Sequence, residues 1–89
     1  MADADIARTG LAQAVARSPE AAARLRGMAL ADPAFREVCE EYALARESLA
    51  RFEARSDAAE RPEVCDFRSV IAELECEIDR MLKEAGPQD

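Results

Sequence analysis

An all-α fold is predicted by three observations: few helix breakers, two stretches with apolar residues at alternating steps of three and four, and prolines set just after capping residues. Of the 89 residues only 3 are Gly and 4 are Pro, while Ala, Glu, Leu and Arg dominate, a composition of long helices rather than of strands and turns. The length leaves room for one modest core. Residues 1–89 are therefore read as a single domain, with short N-terminal helices in 1–31, a helical hairpin in 32–85 and a tail in 86–89.

Taken in order, Thr9-Gly10 is read as the cap of a short helix running to about Arg17, preceded by eight frayed or loosely helical residues. Ser18-Pro19-Glu20 and Asp32-Pro33 each put a side-chain oxygen at the N-cap and Pro at the first helical position, where its missing N–H costs nothing. Helices are expected to start at both. The segment from Ser56 to Arg61 breaks the apolar pattern, and Pro62 suits the first turn of a last helix that Gly86-Pro87 stops after Ala85. The two hairpin helices are thus placed at about 33–55 and 61–85.

The pairing of those helices is read from the apolar spacing. Phe35, Val38, Tyr42, Ala45, Leu49 and Phe52 form one a/d seam, and Val64, Phe67, Ile71, Leu74, Ile78 and Met81 form another with the same steps. Folding the chain back near Ala58 sets Phe52 against Val64, Leu49 against Phe67, Ala45 against Ile71, Tyr42 against Leu74, Val38 against Ile78 and Phe35 against Met81. Every a residue then meets a d residue, as an antiparallel coiled-coil-like hairpin requires. On one flank this register brings Glu53 to Arg68, Arg46 to Glu75 and Cys39 to Leu82. The opposite flank places Glu41 near Glu77 and Ser48 near Val70, with only Arg55 and Glu63 complementary, so another element is expected to cover it. Residues 1–31 are the expected cover, through Ile6, Leu11, Val15, Leu25, Met28 and Leu30. Their slight excess of Arg over acid suits the acidic last helix.

The run DPAFREVCEEYALARESLARFE, Asp32 to Glu53, resembles the central helix of the YdcH-like family of small bacterial proteins, which show a Phe, then Glu-Tyr, then a spaced charged pattern ending in Arg-x-Glu. The closing LECEIDRML is also similar. Where family members commonly have Leu-Lys-Asp-Glu-Ile, this chain keeps Leu74, Glu77 and Ile78 and departs at Glu75 and Cys76; a frequent His after the Tyr is here Ala43. The resemblance covers roughly residues 18–83. It implies a helical hairpin of unknown function with no established catalytic residues.

The residues themselves offer little chemistry. The net charge is −7, from 12 basic and 19 acidic residues, and would repel a phosphate backbone, so no direct nucleic acid partner is expected. No apolar run approaches the roughly 20 residues that span a bilayer, and the first 30 residues lack a signal core, so no membrane partner and a cytoplasmic, unexported protein are expected. Cys39, Cys65 and Cys76 are an odd count without CxxC spacing, which suggests neither disulfide framework nor zinc site; Cys65 and Cys76 should face outward. Glu73, Glu75, Glu77 and Asp79 follow at steps of two, which point successive side chains about 200° apart on a helix and cannot converge on a metal. Tyr42 reads as a core aromatic whose hydroxyl reaches the edge. With no His, no phosphate loop and no nucleophile beside a base, no enzyme activity, cofactor or metal is expected.

The function expected from this sequence is a non-enzymatic helical interaction or oligomerisation module, as a homodimer or with another helical protein. Its candidate surface is Glu41, Leu44, Ser48, Val70, Glu77 and Leu82. A thiol-based redox sensor using an exposed cysteine, and an accessory factor reaching nucleic acid through the basic N-terminal part, are the alternatives.

Overall fold

Asp32 sets the start of the central helix. Its backbone is extended and its Oδ1 accepts the Ala34 N–H at 2.9 Å, while Pro33 occupies the first helical position. This is the predicted cap, and it satisfies one of the donors that a helix start leaves without a partner. The computed structural model describes residues 2–55 and 62–86, with side chains from Asp5 onward. They form α1 (Ala2–Arg17), a 3-10 turn (Pro19–Ala21), α2 (Ala22–Ala31), α3 (Pro33–Glu53) and α4 (Pro62–Ala85). No strand occurs among the described residues. The turn expected near Ala58 lies outside them.

The four helices pack together, with α3 in the middle and α1 and α4 both against it. The whole is elongated, measuring 49 × 27 × 20 Å. Leu25, Phe35, Cys39 and Tyr42 are the largest fully enclosed side chains, and they form one cluster with Ala14, Ala21 and Ile78. That cluster draws on every helix. Burial of each large apolar side chain contributes roughly 1.5–3 kcal/mol, so the packing of α1 and α2 supplies much of what a bare pair of helices would lack. Of the twelve predicted seam residues, Phe35, Tyr42, Ala45, Val64 and Ile78 are buried and the others half-buried; none is exposed. Phe52 and Phe67 meet with ring centroids 5.3 Å apart.

At the C-terminus of α4, Gly86 adopts φ 77°, and its N–H donates to the Lys83 carbonyl at 3.1 Å. A residue with a side chain is strained in that left-handed conformation, so glycine ends the helix here as expected.

Three expectations are corrected. Thr9-Gly10 does not start a short helix: α1 runs unbroken from Ala2 through Gly10 to Arg17. Gly10 is buried against α3, where a Cβ would fall 1.8 Å from the Cys39 carbonyl oxygen. Glycine is about 1 kcal/mol worse than alanine inside a helix, yet only glycine admits the two backbones this close. Ser18 makes no side-chain cap; Pro19 begins a single 3-10 turn, closed by the Ala21 N–H on the Ser18 carbonyl at 3.0 Å, before α2 proper. Leu30, expected to lie in the cover, is 86% exposed at the end of α2.

Candidate functional site

The N-terminal helices close over one flank of the α3–α4 pair, and the chemistry there is a chain of mutually satisfied polar groups. Tyr42 is enclosed at its ring, and its hydroxyl donates to Glu75 Oε2 at 2.9 Å while accepting from Arg46 Nη1 at 3.0 Å. Arg46 and Glu75, expected as a direct charge pair, are joined instead through this hydroxyl. Arg46 also lies 5.4 Å from the centroid of the Tyr42 ring. Burial, the leading cause, holds the Tyr42 hydroxyl above its ordinary pKa.

From α1, Arg17 reaches α4 in a fork: Nη1 and Nη2 donate to the two Asp79 oxygens at 2.8 and 3.0 Å, and Nε lies 3.6 Å from Glu75. The Arg17 hydrogen bond holds the Asp79 carboxyl below its ordinary pKa. From α2, Arg24 Nη2 donates to the Leu82 carbonyl at 2.9 Å. Further along α3, Glu53 meets Arg68 at 2.7 Å, as its spacing predicts.

This flank is the one the sequence already made complementary. The cover was expected on the other flank, that of Glu41, Ser48, Val70 and Glu77, and the expectation is overturned. Cys39 and Ala43 on α3 sit beneath α1, and Asp79 and Leu82 on α4 receive the arginines. The physical reason is steric: Gly10 and the small Cys39 and Ala43 allow close helix approach.

The six candidate surface residues consequently separate. Leu44 and Val70 are each 44% exposed, and Glu41 is exposed. Ser48 is half-buried. Glu77 is half-buried and bonded along α4 to Arg80, which also holds Glu84 at 2.6 Å. Leu82 leaves the surface set, since its side chain packs against the core cluster. Around Leu44 and Val70 stand Glu37, Glu41, Asp66 and Glu73, all exposed. None of these four makes an ion pair among the described residues. A shallow groove between α1 and α3 adjoins, lined by Leu44 together with Ile6, Thr9 and Gln13 of α1 and the charged Arg46 and Glu47 of α3.

Cys65 and Cys76 are exposed, as their positions predict, while Cys39 is enclosed and its thiol is pushed up to about 11 by burial. In the carboxylate row, Glu75 and Asp79, one turn apart, share Arg17, while Glu77 between them points away to Arg80. Among the described residues no group of three or more acidic, Cys or His side chains is arranged to hold a metal ion, and no helix is long and apolar enough to cross a membrane.

Sequence reasoning missed the Arg17 fork and the Gly10 crossing. The fork joins residues 62 positions apart and left no spacing signal. The crossing had one, a glycine flanked by helix formers, which also reads as a helix break. Comparison with family models, curated proteins and solved structures gave no match.

Proposed function

We propose that this protein is a helical interaction module whose working surface is the flank of α3 and α4 that α1 and α2 leave open. In this reading α3 and α4 run antiparallel. Three contacts support it: Phe52 with Phe67, Glu53 with Arg68, and Tyr42 with Glu75, where a lower residue number on α3 goes with a higher one on α4. That register sets Ser48 beside Val70, with Leu44 one helical turn, about 6 Å, along α3 from Ser48.

The observation that carries the proposal is the asymmetry of cover. Four cross-helix polar contacts and the tightest backbone approach fall on one flank, while the other presents two large apolar side chains beside four carboxylates that make no ion pair among the described residues. An apolar centre with a charged rim is the arrangement of a contact surface for another protein. The polar groups on the covered flank neutralise one another and tie helices together, which is structural work rather than catalysis. The reading stands apart from the resemblance to the YdcH-like family, which implies a similar hairpin and leaves function open.

Site-specific photo-crosslinking in the native host tests it. A benzoylphenylalanine at Val70 or Leu44 should capture one or a few defined proteins, identified by mass spectrometry, while the same residue at Ala12 on α1 should not. Equal capture from all three positions, or none from any, refutes the module. The redox-sensor reading rests on the exposed Cys65 and Cys76, and a thiol titration before and after peroxide decides it: unchanged thiols exclude it. A flat gel shift at physiological salt excludes the nucleic acid reading.

A further inference from the structure

We infer that the partner of this open flank is a cationic amphipathic helix, with a narrow apolar stripe flanked by Lys or Arg, rather than a second copy of this chain. The inference deepens the module reading and rests on it.

The local helix geometry carries the first step. On a helix, residues three and four apart share a face, so Val70 has Phe67 and Leu74 on its seam side and Asp66 and Glu73 on its outer side, and the neighbours of Leu44 are Glu40, Glu41, Glu47 and Ser48. Both exposed apolar residues are thus edged by carboxylates on their own helix. Glu37, one turn beyond Glu41, extends the acidic row along α3.

Charge then chooses between occupants. Arginines near this flank are already engaged: Arg80 with Glu77 and Glu84, and Arg51 with Glu47 at 2.9 Å. Arg55 lies 5.8 Å from the Phe52 ring centroid. Glu37, Glu41, Asp66 and Glu73 have no such partner among the described residues, which leaves the rim negative. A twofold dimer places the same patch on itself, so it would bring these carboxylates together as Leu44 and Val70 met. Like charges juxtaposed across a desolvated contact oppose binding, whereas Lys and Arg flanking an apolar stripe complement it and speed encounter.

Size sets the occupant's form. The apolar part is two separate side chains, Val70 level with Ser48 and Leu44 one turn along α3, too sparse for a broad globular face but suited to one helix laying i and i+4 anchors along the open flank.

The test uses the full chain and three synthetic peptides of roughly 20 residues. The first carries Leu at i, i+4, i+7 and i+11 with Lys and Arg beside the stripe, the second has Glu in place of every basic residue, and the third scrambles the first so that the stripe is lost. Fluorescence anisotropy at physiological salt should show binding to the first alone, with helix induced in the peptide by circular dichroism. Leu44→Ser/Val70→Ser, which leaves the charge intact, should weaken it at least tenfold. Glu41→Gln/Glu73→Gln should weaken it severalfold and flatten its salt dependence, while Asp5→Asn/Glu20→Gln, an equal charge change off this flank, should leave it unaltered. Equal binding of the scrambled peptide, or indifference to Leu44→Ser/Val70→Ser, reduces the effect to bulk charge and overturns the inference. Sedimentation equilibrium should find a monomer at tens of micromolar; a dimer abolished by Val70→Glu assigns the flank to a second copy and overturns it equally. Peptide failure beside specific capture at Val70 in cells would reject the cationic partner and spare the module, whereas failure of capture removes both.

Discussion

Two glycines in helical segments show how much one hydrogen atom decides. At Gly10 a Cβ would strike the Cys39 carbonyl, whereas at Gly27 nothing lies within 4 Å of it. Gly27→Ala should therefore raise stability by about 0.5–1 kcal/mol, since alanine restricts the unfolded chain and suits a helix interior. Gly10→Ala should lower it by at least about 2 kcal/mol, because α1 must shift off α3 to admit a methyl group. Urea titrations followed by circular dichroism check both, and a neutral Gly10→Ala would mean the helices do not cross there. Cys39, beneath this crossing, has a pH signature of its own. Burial raises its folded pKa from the ordinary 9.0 to about 11, so its contribution is fully present below pH 9 and is lost as pH rises towards 11. Two units correspond to about 2–3 kcal/mol. Melting the parent and Cys39→Ala across that window should show a steeper alkaline decline in the parent, on top of a loss common to both from Tyr42, whose pKa burial also raises.

The helices themselves were largely legible in the sequence, because capping and periodicity are local. Asp32-Pro33 and Gly86 mark ends that the structure places at those residues, and every seam residue is at least half-buried. What eluded the sequence is how elements meet: Gly10 as a crossing, the side on which α1 and α2 lie, and hence the loss of Leu82 from the candidate surface. These depend on contacts between distant residues, for which periodicity within one helix holds no information. The Arg17 fork is the clearest case, and it makes a prediction about α1. Asp79 has its folded pKa depressed by Arg17, so the stability it confers is present above its unfolded value, near pH 4, and is lost as pH falls through the folded value. Arg17→Ala should flatten part of the acid decline. At neutral pH it should cost only about 0–1 kcal/mol, because both side chains are well hydrated. Thermal melts from pH 7 down to pH 2 measure both effects; an unchanged acid limb would separate Asp79 from the docking of α1.

As a whole, a molecule 49 Å long and only 20 Å across at its thinnest keeps little of its chain far from water. Domains of this size are held by a margin towards the lower end of about 5–15 kcal/mol. Leu25 is fully enclosed and joins α2 to residues of α1, α3 and α4, so Leu25→Ala, at about 2–5 kcal/mol, should remove a large fraction of that margin. Its urea midpoint should fall sharply with little change of slope; a shallow, drawn-out transition would instead indicate that α2 unfolds separately. The narrow build also means that α1 shields its neighbours one layer deep. Of the three thiols, Cys65 and Cys76 stand in the open and Cys39 lies under the Gly10 turn of α1. With excess iodoacetamide the native chain should therefore gain two adducts at the pace of free thiols and a third only as often as α1 lifts away. The third alkylation is thus an unlabelled timer of that opening, read by intact mass, and Gly10→Ala should collapse it into the first two.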